Sequence, residues 1–370
     1  MSRSFRRRAG AALIDWPAYE WNLRGRGMPV GGRHWTRIGN RRDRIEVGPG
    51  GRGVRPGGRW TSRIHVCDVF PRLGERLMAR ALREWPVELA DRPAALADRP
   101  AMDRPAAARA NAAPDVSFVV GHRGADRLPH LSLVLASVAA QSGAAVECVV
   151  VEQSANPEIA GLLPDWVRYV HTPIPAGMPY SRSWAFNVGA RMARGAVLVL
   201  HDNDMLLPRS YAAEALAIRR DGYEVMNIKR FVFYLGERES LRVMAGKVIE
   251  GRPDFVVQNL EGGGSVAIDR DTFFAVGGFD EAFVGWGGED NEFWERCAVR
   301  SVWAWGYLPV IHLHHQEQAG KGRRDRATAA LLDARSRVPA EERVRELTAR
   351  TFGRIEGPDP AYVPAEGATR

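Results

Sequence analysis

Lysine is almost missing from this 370-residue chain: three of its 52 basic residues are Lys229, Lys247 and Lys321, and the rest are arginine. A bias of that size is the mark of genome composition, so it does not by itself signal arginine-specific chemistry. Cysteine is scarce too. Cys67, Cys148 and Cys297 are widely spaced and odd in number, which excludes a disulfide framework and a cysteine zinc set. Cys148 and Cys297 lack a partner-histidine pattern and are expected to pack rather than to act as nucleophiles. Long apolar runs are absent as well. Stretches such as Ala196 to Leu200 fall far below the roughly 18–20 residues of a membrane span, and the apolar residues before Asp15 are too few for a signal-peptide core. A soluble cytoplasmic protein is expected, long enough for two ordinary domains or one large domain with extensions.

The net charge of +8 is unevenly placed. Residues 1–60 carry 14 arginines against Asp15, Glu20, Asp43 and Glu46, so this segment alone is +10 and the remainder is close to neutral. Such a segment could touch nucleic acid or the inner face of an anionic membrane. It has no interleaved aromatic motif, so a solvated extension is expected and no nucleic-acid partner. Residues 1–87 read as a basic Gly/Arg-rich extension ending in a small appendage. Ile64, Val66 and Val69 suggest a short strand there, and Leu73, Leu77, Ala81 and Leu82 a helix. The proline- and alanine-rich repeats of 88–114 read as a linker, 115–325 as the main domain, and 326–370 as a helical segment and tail.

From Asp115 onward short apolar runs alternate with helical patterns. Runs at Val116–Val120, Val146–Val151, Trp166–Val170 and Ala196–Leu200 are separated by helical stretches at Leu128–Ala140 and Ser183–Ala193. Strands apolar on both faces and separated by helices predict an α/β fold, a Rossmann-like, mostly parallel sheet with helices on both faces. Ligands of such sheets bind outside the carboxyl ends of the strands. The polar clusters Gly121-His-Arg-Gly, Glu152-Gln-Ser and His201-Asp-Asn-Asp all follow strand ends.

Asp202 and Asp204 stand two residues apart, so in extended chain both face one way. Hard divalent cations take carboxylate oxygens and keep positions for substrate phosphates. The same acids would also suit a capped loop before Pro208. Two further clusters lie downstream. One runs Gly262-Gly-Gly-Ser, then Gly277-Gly-Phe-Asp-Glu, then Gly285-Trp-Gly-Gly-Glu-Asp-Asn-Glu. The other is Pro309-Val-Ile-His-Leu-His-His-Gln-Glu-Gln-Ala-Gly-Lys. In a strand His312 and His314 would share a face and His315 take the other; His312 is expected to be a core histidine, and His314 is left open.

The segment around Gly285-Trp-Gly-Gly-Glu-Asp resembles the acceptor site of the β-1,4-galactosyltransferases, the polypeptide N-acetylgalactosaminyltransferases and the bacterial chondroitin polymerases. Val116–Arg123 resembles the opening strand and loop of family 2-like glycosyltransferases, Tyr180-Ser-Arg-Ser-Trp-Ala-Phe-Asn-Val-Gly their Arg-to-Asn-x-Gly helix, and Asp202-Asn-Asp their Asp-x-Asp. The resemblance covers roughly residues 115–325. It implies an A-type glycosyltransferase fold and a metal-dependent, inverting enzyme that uses a nucleotide-sugar donor, by family habit a UDP-sugar, and a glycan or other hydroxyl acceptor in polysaccharide biosynthesis.

By the same resemblance Asp290 is the catalytic base, and Glu289, Trp286, Gly287, Gly288 and Gly264 line the acceptor site. Arg123, Glu152, Arg182, Asn187 and Asp202 would meet the donor nucleotide. Asp204 and His315 would hold the metal, with Asp202 direct or through water. Neutral imidazole suits Mn2+ better than Mg2+. Two loops depart from the family: Gly-His-Arg stands after the first strand, and Glu152-Gln153 replaces the usual Asp-Asp or Asp-Gly. A nucleotidyltransferase would want a Gly-x-Gly-x-Arg loop, which is missing. A sugar- or nucleic-acid-binding protein on a transferase scaffold would be expected to have lost one of Asp202, Asp204, Asp290 or His315.

Overall fold

A computed structural model describes residues 113–358 except 175–176, 248, 250–252, 259–262, 304–305, 307 and 317–326. Upstream it describes Ile45–Val47 and Val54–Pro56, which pair antiparallel. The appendage expected at 60–86, the linker up to 112, Gly262 and residues 317–321 of the histidine segment lie outside the described residues.

The strands are β1 (Val116–His122), β2 (Val146–Ser154), β3 (Val167–Pro173), β4 (Val197–His201), β5 (Met205–Leu206), β6 (Val225–Met226), β7 (Lys229–Tyr234), β8 (Phe255–Gln258), β9 (Ser265–Asp269), β10 (Val302–Trp303) and β11 (Leu308–His312). Between them run α1 (Leu128–Ala139), α2 (Arg182–Met192), α3 (Tyr211–Arg220), α4 (Glu237–Met244), α5 (Arg270–Ala275) and α6 (Glu289–Cys297). α7 (Ala327–Arg335) and α8 (Ala340–Thr348) follow. Seven strands form one sheet in the order β10-β6-β9-β4-β1-β2-β3, and four form a second in the order β8-β7-β11-β5. Neighbours from β4 to β3 are parallel, as are β10 and β6. β9 alone runs against both of its neighbours. The mostly parallel sheet expected from the apolar runs is present; the antiparallel β9 is an addition that no run announced.

Both faces of the sheet are covered because every central strand is apolar on both. Phe118, Val120, Cys148, Val150 and Val199 pack under Leu131 and Leu135 of α1 and Tyr211 and Ile218 of α3. The alternate residues Val119, Val149, Val151 and Leu200 pack under Trp184, Phe186 and Val188 of α2 and Phe273 and Phe293 of α5 and α6. Fully burying a side chain of this kind stabilises by about 1.5–3 kcal/mol. Gly189 lets α2 approach this closely: a Cβ there would sit 2.2 Å from Cγ1 of Val119. Cys148 and Cys297 are buried, and burial raises both thiols, Cys297 to about 12, which keeps them unreactive as expected.

The C-terminal helices complete this second face. Trp184 Nε1 donates to the Arg354 carbonyl at 2.7 Å, Gly353 N–H to Glu281 at 2.7 Å, and Phe352 stacks on Phe274. These contacts cross the boundary read at residue 325. At their centre Glu292 and Arg296 of α6 are fully buried and bidentate, at 2.6 and 2.8 Å, and Arg343 of α8 reaches the same carboxylate at 3.1 Å. Removing one member of such a set strands a charge in the core, at about 3–5 kcal/mol. Glu292→Ala is therefore expected to lower stability by about that amount, read by chemical denaturation; a loss below about 1 kcal/mol would show that the network relaxes.

A chain shortened to begin at residue 113 is expected to unfold cooperatively, because β1 starts at Val116 and its edges are closed by β2 and β4. Insolubility of the shortened chain would place part of residues 1–112 in the core.

Candidate active site

The site forms where β4 ends. Beyond His201 the chain turns through Asp202-Asn203-Asp204 and enters β5, which leaves the large sheet for the small one. His201 Nε2 bonds the Met205 carbonyl at 2.8 Å, and burial lowers the imidazole to about 4, so this turn is held by a neutral histidine. β5 pairs with β11 so that Met205 stands opposite His312. Leu313 N–H then donates to the Asp204 carbonyl at 2.8 Å. Two motifs over a hundred residues apart are thus joined by one short strand pair.

The strand ends at His312, and the chain beyond it bends. His314 N–H donates to Ser240 Oγ of α4 at 2.7 Å, and His130 of α1 bonds the His314 carbonyl at 2.9 Å. The bend returns His315 to the face of His312. His315 Nε2 stands 3.3 Å from Asp204 Oδ2, and His312 Nε2 stands 3.7 Å from Oδ1. One ligand atom from each of the three residues fits within 4.8 Å of the others. One carboxylate and two imidazoles suit Mn2+ better than Mg2+, so the donor set fits the metal that the resemblance implies. His315 Nδ1 bonds the Gln316 carbonyl at 2.7 Å, which leaves Nε2 for the metal side.

Two expectations need correction here. His312 is not a core histidine: it faces Asp204, its ring stacked on Tyr234 at 4.3 Å between centroids. His314 does not share its face. The face rule holds only while the strand continues, and past its end the His314 side chain is exposed. Asp202, expected on the metal direct or through water, is not among the three clustered residues and has its Oδ1 on Arg182 Nε at 2.7 Å.

Burial pushes Asp204 up, but His312, Arg127 and His315 outweigh it and hold the carboxyl at about 2. Asp202 goes the other way, because burial exceeds what Arg182 offsets. Arg127, in the turn Ala125–Arg127 before α1, lies 2.6 Å from Asp204 Oδ2 and 3.3 Å from Asn203 Oδ1. The sequence offered no signal for Arg127 beyond its place after a strand end, and none for His130 or Ser240.

The glycine loop lies on the other side. Gly285, Gly287 and Gly288 all have positive φ, from 86° to 99°, and Gly288 starts α6 from the left-handed region. This turn puts Glu289 and Asp290 at the positive end of the helix dipole. Arg182, at the start of α2, bridges the halves: besides Asp202 it reaches Glu289 Oε1 at 3.3 Å, and its guanidinium lies 4.6 Å over Phe186. Asp290 borders Gly263, where a Cβ would meet its Oδ2 at 2.4 Å. A Cβ on Gly264 would lie 3.8 Å from Asp202 Oδ2. The Gly263-Gly264 backbone therefore borders both Asp202 and Asp290. Trp286 stands exposed above, its carbonyl accepting from Thr328 Oγ1 at 3.0 Å.

Burial and the neighbouring Asp290 push Glu289 up to about 7 despite Arg182. A group raised above its unfolded value contributes stability below that value and loses it as pH rises through the folded one. Between about pH 4.5 and 7 the wild type should therefore lose melting temperature relative to Glu289→Gln. Parallel pH profiles of the two proteins would contradict this.

The donor-side residues divide. Arg123 reaches from its loop to the Met178 carbonyl at 3.2 Å. Glu152 is not in a loop, because β2 continues to Ser154 in pairing with β3. Its carboxylate is buried and accepts from Tyr169 OH, Ser154 Oγ and the Glu158 and Ile159 N–H groups, which hold it below the usual carboxylate range against the effect of burial. It staples the chain after β2 and offers no oxygen to a nucleobase. Asn187 is likewise buried and consumed. It donates to the Phe279 carbonyl and Glu281 at 2.9 Å and accepts from Phe279 N–H at 2.8 Å, clipping the Gly-Gly-Phe-Asp-Glu turn to α2.

Residues 253–307 match the family described as the N-terminal domain of galactosyltransferase. Over 64 residues the chain is 44% identical to the chondroitin synthase of Escherichia coli, a stretch that makes up 16% of this chain and 8% of that protein. The chain thus spans under a tenth of the length of this curated relative. The two matches bear out the resemblance.

Similar solved structures include the catalytic domain of Drosophila β-1,4-galactosyltransferase 7 with xylobiose, at TM-score 0.36 and 16% identity over 61% of this chain and 82% of that one. GalNAc-T7 with UDP, GalNAc and Mn2+ gives 0.44 and 17% over 62% and 50%. A mannosyltransferase of Pyrobaculum calidifontis with GDP-Man and Mn2+ gives 0.37 and 16% over 75% and 81%. Among the described residues no helix is long and apolar enough to cross a membrane.

Proposed function

We propose that this protein is an inverting, metal-dependent glycosyltransferase that moves a sugar from a nucleotide-sugar, a UDP-sugar by resemblance, to a hydroxyl of a glycan acceptor. The observation that supports the reading is the approach of two motif sets. Asp204, His312 and His315 form a cation-type cluster, and Asp202, in the same turn as Asp204, flanks the Gly263-Gly264 backbone that Asp290 also borders.

Asp204, His312 and His315 would hold Mn2+, which when bound supplies Lewis-acid stabilisation to the departing diphosphate. Asp290 takes the proton of the attacking hydroxyl, a contribution of about 10²–10⁴-fold. Glu289 is engaged by Arg182 at 3.3 Å, which leaves Asp290 as the carboxylate beside the glycine backbone. Arg182 fixes Glu289 and Asp202 in register, so the donor side and the acceptor side move as one piece. Trp286 offers an apolar plate to a sugar ring and the glycine loop lets backbone approach it. Among the described residues Asp202 and Glu289 are engaged by Arg182 and Asp204 by Arg127, so with Asp290 as the one base a single displacement with inversion is the reaction proposed.

A screen of nucleotide sugars with Mn2+, reading nucleotide release with and without glycan acceptors, tests the reading. Release of a nucleoside diphosphate from at least one donor, lost on removing the metal with a chelator, is expected. No turnover of any donor would overturn it.

A further inference from the structure

Each carboxylate of the Asp202-Asn203-Asp204 turn is already matched by an arginine from another part of the chain. Asp202 has Arg182 at 2.7 Å, and Asp204 has Arg127 at 2.6 Å. The second pairing is the unusual one. Arg127 Nη2 sits on Oδ2, the same oxygen that faces His315 Nε2 at 3.3 Å. A divalent cation shared by Asp204 and His315 would meet a guanidinium a few ångströms away. Both side chains are mostly covered, at 20% and 11% exposure, so water screens that repulsion weakly. Arginine cannot escape it by losing its proton.

We propose that Arg127 is a built-in stand-in for the cation, displaced when metal binds and then taken up by the diphosphate of the donor. The inference rests on the metal-dependent reading above. The charge count at Asp204 supports it: Arg127 already balances that carboxylate without a metal, so a divalent cation alone leaves the pair at +2, and an incoming diphosphate restores the balance. Arg127 is placed to make the exchange. It ends a single helical turn that follows Gly124 at φ 82°, and among the described residues its other side-chain hydrogen bond is to the neutral amide of Asn203. A cation and a nucleoside diphosphate would thus bind together far better than either alone, with Arg127 suppressing idle metal binding.

A residue that merely supports the site loses metal affinity when it is changed; a stand-in cation does the opposite. The test is calorimetry of the full chain with MnCl2, alone and with UDP, on the wild type, Arg127→Gln, Arg127→Met and Arg127→Lys, with His315→Ala marking the site. Arg127→Gln and Arg127→Met are expected to bind Mn2+ alone about tenfold or more tighter than the wild type, as removal of a poorly screened like charge predicts. The gain in Mn2+ affinity that UDP confers should shrink in the same variants, and Arg127→Lys should stay near the wild type. Equal or weaker Mn2+ binding by both neutral variants, with His315→Ala impaired, overturns the role of Arg127 and leaves the metal site standing. A His315→Ala protein that titrates like the wild type overturns the metal reading and Arg127's role with it.

Discussion

An Asp290→Asn protein should fold, bind Mn2+ and nucleotide as the wild type does, and transfer sugar about 10²-fold more slowly or worse, a barrier increase of about 2.7 kcal/mol. The amide keeps the shape of the carboxylate and an oxygen for the Asn291 N–H, which Asp290 Oδ1 accepts at 2.9 Å. It removes the proton acceptor alone. An acid in the first turn of α6 also interacts with the helix dipole, by about 0.3–1 kcal/mol. If that were its whole role, the change would appear in melting temperature and hardly in rate. The environment separates the neighbouring acids. Glu292 is locked between Arg296 and Arg343, Glu289 is paired with Arg182, and Asp290 borders the Gly263-Gly264 backbone. Near-normal transfer by a folded Asp290→Asn protein would remove Asp290 from the mechanism.

The second large effect falls on the metal. Asp204→Ala and His315→Ala are each expected to abolish measurable nucleotide-dependent Mn2+ binding, and His312→Ala to weaken it clearly. Asp204 contributes the one carboxylate of the cluster, and both imidazoles converge on it. Loss of Asp204 also leaves Arg127 without its ion-pair partner, so the melting temperature should be followed beside the titration. Asp202→Asn gives the contrast. Asp202 is engaged by Arg182 outside the cluster, so its loss should leave Mn2+ affinity near the wild type and disturb the Arg182 bridge. Unchanged affinity in both Asp204→Ala and His315→Ala would sink the assignment.

Much of this was legible in the chain itself. Apolar runs at Val116, Val146 and Val197 determined a sheet buried on both faces, because strands of that composition have no face to give to water. The Gly-Trp-Gly-Gly-Glu-Asp string announced the glycine turn that starts α6, and Asp204 with His315 two members of the three-residue cluster. The sequence also suggested roles for Glu152 and Asn187 that depended on their lying free at strand and helix ends. Hydrogen bonds with Tyr169, Phe279 and Glu281 could not be read from local pattern, since these partners lie 17 to 94 positions away.

Side-chain alternation is a local rule, and it correctly placed residues as long as the chain stayed in a strand. Where β11 ends, tertiary contacts took over. The Asp204 carbonyl, Ser240 and His130 bend residues 313–315 and bring His315 beside His312. The same holds for the pairing of Arg127 with Asp204 and of Arg182 with Asp202 and Glu289. Composition and periodicity determined which segments are buried and which polar clusters sit at strand ends. Which charge meets which was decided only by the packing of β5 on β11 and of α2 on the sheet, because ion pairing depends on distances of a few ångströms that no spacing along the chain encodes.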